Sequence, residues 1–244
     1  MSDETRHQVK SELLNTLQNS QDWPKSITHK VCSLAVEVQG AMQSVEKEAI
    51  WNDLLVLVNQ MIQTGNEKLI DSALQIFNGL FGYIMDHMIK FKEDLAKTFT
   101  QTLRHPSLDI KLASLQAVSN LLSTAERKDV KQFTNLIPDM TAVIIEAFKN
   151  DDEVVLEDAL VEFNELAEIE PIFFKPYFAD VYAALKPIVA HQDFANANIR
   201  QQPLEFVVTL VERKPNLVSK NTELLKDILE QIFKLMIDID SDIE

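Results

Sequence analysis

The sequence predicts an all-α chain of repeated helical hairpins. Three observations predict it: an apolar pattern that returns every 41 to 45 residues, a capping residue that returns with it, and a shortage of glycine. The pattern is clearest in Asp152–Leu166, DEVVLEDALVEFNEL, where Val155, Ala159, Leu160, Phe163 and Leu166 fall at helical spacing and make one stripe. Leu160 has counterparts at Cys32, Leu74, Leu115 and Leu204. Five residues earlier stand Ile27, Leu69, Ile110, Val155 and Ile199; three later stand Ala35, Phe77, Val118, Phe163 and Val207. Six later stand Val38, Leu80, Leu121, Leu166 and Leu210, and eight earlier, in four copies, Asn66, Ser107, Asp152 and Asn196 can cap a helix start. A helix of this length needs a neighbour for its stripe. Repetition at roughly 40–47 residues is the period of HEAT or armadillo units. The fold class is therefore a HEAT-repeat α-solenoid of about five and a half hairpins in one domain, 1–244. Its core includes Leu74, Phe77, Leu115, Val118, Leu160, Phe163, Leu204 and Val207.

Each element has a local reason. The first repeat, 4–39, pairs Glu4–Asn19 with Pro24–Gln39, and Pro24 suits a first helical turn. The second, 46–82, pairs Glu46–Thr64 with Glu67–Gly82, and Gly65 can take the left-handed conformation that closes a helix. The third, 86–125, divides at His105-Pro106 into Asp86–Arg104 and Ser107–Ala125. The fourth, 129–169, pairs Asp129–Lys149 with Asp152–Glu168, and Pro138 inside the first helix should kink it. The fifth, 171–213, pairs Pro171–Ala190 with Ala195–Glu212, with Pro187 and Pro203 inside the two helices. A half repeat, 216–238, holds Thr222–Met236. Its stripe (Leu224, Leu225, Ile228, Leu229, Ile232, Phe233, Met236) either awaits a further helix or packs back on its predecessor.

Composition narrows the function. Apolar residues are 46% of the chain and glycines only four, too few for a phosphate-cradling or β-rich fold. No apolar run approaches the ~18 residues of a membrane span, so no membrane insertion is expected. One cysteine, Cys32, excludes an internal disulfide and fits a reduced intracellular setting. The net charge of −15 argues against direct nucleic-acid binding, which needs basic surface to neutralise phosphates, and favours a basic protein partner. An acidic surface that only keeps the chain soluble is the alternative.

The search for chemistry is negative. Asp238, Asp240 and Asp242 imitate the opening of a calcium loop but lack its glycine and distal glutamate. His7, His29, His87, His105 and His191 fall in separate repeats without metal-ligand spacing. No nucleophile elbow, Walker or Rossmann pattern occurs. The sequence is read as no enzyme, with no catalytic residue, no cofactor and no metal.

One stretch departs from a mixed-charge surface. Asp158, Glu162, Glu165 and Glu168 follow one another along one helix face, and the whole of 151–170 contains no lysine or arginine. Like charges at these spacings cost helix stability. The stretch is either a tolerated solvated face or a ridge that binds cations.

Several segments resemble the importin beta (karyopherin beta) family, nearest its karyopherin beta-three and importin-four members. They are QFTNLIPDM (132–140), NDDEVVLEDALVEFNELAEIEPIFFKPYF (150–178), LEFVVTLVERKPNLVSKN (204–221) and MIDIDSDIE (236–244). KSELL (10–14) and HKVCSLAVEV (29–38) extend the likeness upstream. The resemblance implies a nuclear transport receptor that shuttles between cytoplasm and nucleus. It implies a right-handed superhelix whose second helices line the concave side. Its partners would be basic protein cargo, the phenylalanine-glycine repeats of the nuclear pore and, in the full-length protein, the GTPase Ran. Family members are several times longer, so the chain reads as an internal, amino-terminal-half fragment, for which Ran switching is not assumed. On this reading Asp158, Glu162 and Glu165 hold basic cargo, Asn78 and Asn164 hold its backbone through their amides, and Phe206 takes a lysine stem. A convex groove for pore phenylalanines would use Trp51, Leu55, Val58, Phe91, Leu95 and Phe99. The other reading is a HEAT scaffold that organises a protein complex without a transport role.

Overall fold

The computed structural model describes residues 3–217 and 222–241, and among them all regular structure is helical. Twelve α-helices occur there: α1 (Asp3–Gln18), α2 (Lys25–Val45), α3 (Asn52–Gln63), α4 (Glu67–Met88), α5 (Lys92–Leu103), α6 (Leu108–Thr124), α7 (Arg127–Val130), α8 (Ile137–Lys149), α9 (Glu153–Ile169), α10 (Phe178–Ala190), α11 (Gln202–Arg213) and α12 (Thr222–Ser241). The chain forms two compact units, one of Met1–Leu95 with His105–Ala125, the other of Ala96–Arg104 with Glu126–Glu244.

In the first unit α2, α4 and α6 pack side by side, with α1 on α2 and α3 on α4. The columns explain the packing. Cys32, Leu74 and Leu115 are each at most 1% exposed, and Ala35, Phe77, Val118, Leu80 and Leu121 are buried beside them. Asn66 caps α4 as its type predicts, accepting from the backbone N–H groups of Lys68 and Leu69. Gly65 before it has φ +71, the left-handed turn that only glycine enters without cost. Ile27 departs from its column: it is 47% exposed, and Leu34 on the same side of α2 is 51% exposed. In α4, α6 and α11 the second helix of the hairpin before packs alongside, and among the described residues α2 has no such predecessor.

In the second unit α8 packs on α9, α10 on α11, and α9 beside α11, while α12 touches α10 and α11. Leu160, Phe163, Leu166, Leu204, Val207 and Leu210 are buried. Phe163, Phe174 and Phe206 form one aromatic cluster with centroids 4.8 to 5.7 Å apart. Asp152 caps α9 by accepting from the Val155 N–H. Tyr182 and Lys186 on α10 both donate to Asp227 on α12, at 2.8 and 2.6 Å. The Lys186 hydrogen bond, helped by that of Tyr182, holds the Asp227 carboxyl below its ordinary range.

Helices α1, α6 and α9 follow the expected bounds to within a residue at each end, and the other elements depart. Asp129–Lys149 is three pieces: α7, a 3-10 stretch Lys131–Leu136, and α8. Pro138 therefore kinks nothing; it lies in the first turn of α8, where its missing N–H leaves no hydrogen bond unmade. Pro203 likewise opens α11 rather than interrupting it, after a 3-10 turn Ala197–Arg200. Only Pro187 is inside a helix. Pro171 opens a 3-10 turn, and α10 begins at Phe178. α3 starts at Asn52, not Glu46, because α2 continues through Gly40 to Val45. α4 continues to Met88 with a break at Ile84, so α5 starts only at Lys92. In α12 Ile228 is buried while Leu229, Phe233 and Met236 are exposed. The side chains of the Asp238–Asp242 run lie outside the described residues.

Cys32 is fully buried and unpaired. Burial pushes its thiol up to about 12, against a weaker opposing hydrogen bond from Ser72. The native thiol should stay protonated and resist a thiol reagent at pH 8 until the chain unfolds; rapid modification of the native chain would contradict its burial. Burial of the thiol also makes stability depend on pH. The unfolded thiol ionises first, so this contribution is whole below about pH 8.5 and is lost as pH rises toward about 12.

Candidate functional site

The acidic stretch 151–170 divides into two kinds of carboxylate. One kind holds the fold. Asp152 caps α9, and the two carboxylate oxygens of Glu153 accept from the backbone N–H groups of Ala195 and Asn196 at 2.9 and 3.2 Å. Glu157 accepts from the Asn196 side chain at 2.9 Å. Glu170, buried at the end of α9, pairs with Arg127 at 3.3 Å. These groups are spent on packing and are not available to a partner.

The other kind faces solvent. Asp158 and Glu165 are exposed and form no ion pair among the described residues. Between and beside them Val154, Val161 and Ile169 are 71%, 37% and 50% exposed. On α11 the exposed residues are Glu205, Val208, Glu212 and, at its last position, Arg213. The outer faces of these adjacent helices thus carry carboxylates and short aliphatic side chains in alternation. Such a surface attracts cations and also offers apolar ground for their methylene stems.

Side chains also join α9 to α11 and to Asn196 ahead of it, two of the bridges part-buried and one exposed. Glu157 reaches Asn196, Asn164 donates to Gln202, and Glu168 pairs with Arg213 at 2.7 Å. Asn164 is half-buried, and one N–H of its amide is used on Gln202. Its Oδ1 is buried without a partner. Asn78, in the first unit, accepts through both its backbone and side-chain oxygens from Asn120, at 2.7 and 2.8 Å. It ties α4 to α6 and is likewise engaged.

Phe206 is fully buried in the aromatic cluster and takes no lysine stem. Glu162 is half-buried with a partner of its own. Of the six residues named, Asp158 and Glu165 stand open on the outer face. The sequence reading missed Val154, Val161, Glu205, Val208 and Glu212. Their signal was present: Val154, Asp158, Val161 and Glu165 follow at helical spacing opposite the Leu160–Phe163 stripe.

The residues named for a convex phenylalanine groove are mostly core. Trp51, Val58, Leu95 and Phe99 are at most 6% exposed, and only Phe91, at 53%, is open. The expected groove does not form from them. Among the described residues no cluster of metal-ligating side chains occurs, and no helix is long and apolar enough to cross a membrane.

The fold defines a class: an α-helical repeat protein in which the second helices of successive hairpins pack side by side. Two family models match, one described as IPO5-like, TPR repeats over residues 24–184, the other as Importin repeat over 191–244. The chain belongs to the importin beta family, in its IPO5-like branch, a family of non-enzymatic transport receptors.

Solved structures share the HEAT-repeat fold. The karyopherin Kap121p bound to the extreme C-terminus of the protein phosphatase Cdc14p matches with a TM-score of 0.77 and 18% identity over 91% of this chain. Kap121p bound to Nup53p matches with a TM-score of 0.77 at 18% identity, and Kap121p bound to Pho4p with 0.77 at 19%, each again over 91% of this chain. The chain covers 21%, 20% and 21% of those three structures, so it spans about a fifth of their length.

Proposed function

We propose that this chain is a cargo-binding segment of a nuclear transport receptor, and that the acidic outer face of α9 and α11 holds a basic segment of the cargo. The observation that carries the reading is the set of exposed carboxylates, Asp158, Glu165, Glu205 and Glu212, left without ion pairs among the described residues while neighbouring acids are used up in packing. A net charge of −15 draws a basic chain toward this face at long range. Val154, Val161 and Val208 lie where the stems of lysine or arginine side chains would rest. Membership of the importin beta family supports the transport role, and Kap121p, of the same fold, has been solved with protein partners. Binding of phenylalanine-glycine pore repeats, binding of Ran by the whole receptor, and shuttling between cytoplasm and nucleus belong to the same proposal on family membership alone.

Exposed pairs are weak, about 0.2–1 kcal/mol each, and are screened by salt. Replacing Asp158 with Asn and Glu165 and Glu205 with Gln should therefore weaken binding of a fluorescein-labelled oligolysine peptide by roughly tenfold at low ionic strength. The same change should nearly vanish at high salt. Unchanged affinity at low salt would remove the face as the site and leave the chain as a helical scaffold.

A further inference from the structure

We propose that Arg213 is an internal competitor at the acidic face, occupying with its own guanidinium a position that a partner's cation must take. The inference rests on the cargo-binding reading above and adds a residue that limits which basic segments fit.

The sequence puts Arg213 at the last residue of α11, where the helix dipole favours a cation. Its guanidinium donates to Glu168 on α9 at 2.7 Å, across the seam between the two helices. Both side chains remain half open, 51% and 64% exposed, so the pair is reachable from solvent. The other two bridges on this seam, Glu157 to Asn196 and Asn164 to Gln202, are part-buried. Exposure separates the third from them. A part-buried bridge is expensive to open because its polar groups lose their partners inside the protein. An exposed ion pair exchanges one cation for another at little cost, since water covers both groups during the exchange.

Glu168 and Glu212 lie at this end of the face, and Arg213 is the cation within ion-pair distance of it among the described residues. A basic segment laid along α9 and α11 meets open carboxylates at Asp158, Glu165 and Glu205, then reaches a carboxylate already filled. A lysine or arginine of the partner binds there only by displacing Arg213. A segment with a neutral residue at that end leaves the internal pair intact.

Arg213→Gln removes the competitor without adding charge. It should tighten oligolysine by about two- to fivefold at low ionic strength. Loss of one positive charge would raise affinity for any cation at long range, so the decisive arm is a cycle with Glu168→Gln. If Arg213 competes for Glu168, the gain is lost in the Glu168→Gln background. If the gain persists there in full, the effect is long-range charge and the proposal is overturned. No change, or weaker binding, in Arg213→Gln alone also overturns it and marks Arg213 as a strut; its melting temperature then falls with no gain in affinity. Failure of the underlying reading has a different signature: the Asp158, Glu165 and Glu205 replacements leave oligolysine affinity unchanged in the parent chain.

Discussion

Phe163→Ala should lower the unfolding free energy by about 3–5 kcal/mol, the range for removing a fully buried aromatic side chain whose site cannot collapse. Phe163 is 0% exposed and packs against Phe174 at 5.3 Å and Phe206 at 5.7 Å. All three rings belong to different helical segments, α9, the 3-10 turn after it, and α11. Removing the central ring leaves the other two facing a void, and neither segment can close it without breaking the side-chain bridges along α9 and α11. Chemical denaturation followed by circular dichroism measures the loss. A variant that melts like the parent would mean that the column containing Phe163 does not carry the core.

Two glycines three residues apart on α4 should respond with opposite signs. A Cβ built on Gly79 would lie 2.8 Å from both γ-methyls of Val36 on α2, closer than real Cβ atoms approach. Val36 is itself 6% exposed and hemmed in, so the two helices must separate. Gly79→Ala should cost about 1–3 kcal/mol, as overpacking of a core does. Gly82 has nothing within 4 Å and no left-handed backbone. Gly82→Ala should stabilise by about 0.4–1 kcal/mol through the unfolded chain. Equal shifts in melting temperature for both variants would contradict the close approach of α2 and α4.

The repeat was legible because its signal is redundant. Five copies of four columns survive a misfit such as Ile27, whose exposure reflects a side of α2 with no helix against it. Caps were legible where a side chain does the capping, as at Asn66 and Asp152; Ser107 stands at the start of α6 but makes no capping side-chain bond. The starts of α8 and α11 were less legible because proline is ambiguous: Pro138 and Pro203 look the same in sequence whether they open a helix or interrupt one. The choice is made by the 3-10 turns that precede them, which leave no periodic mark.

The proposed binding face was half legible. Its charge is plain in the sequence, but its phase is not read correctly from acids alone. The positions equivalent to Glu162 are Leu34, Ile76, Ala117 and Phe206, apolar in four of five copies. Ile76, Ala117 and Phe206 are all buried. That column belongs to the packed side of the helix, and Glu162 is its exception. The true outer arc runs through Val161 and Glu165, where apolar residues on the surface disguise it. The tasks of Asn78 and Asn164 could not be read from sequence, since an amide that bridges two helices has the same spacing as one that awaits a peptide.

On the proposal above, a basic chain touches the protein along the solvent-facing side of α9 and α11. Valine methyl groups report this, because Val154, Val161 and Val208 are on the outer face while Val207, in the core of the same unit, is fully buried. Methyl-selective NMR of the full chain titrated with oligolysine at low ionic strength should move the Val154, Val161 and Val208 resonances together, on one binding curve, and leave Val207 nearly still. Saturable shifts confined to valines elsewhere, with these three unmoved, would show that the acidic face of α9 and α11 is not where the basic partner binds.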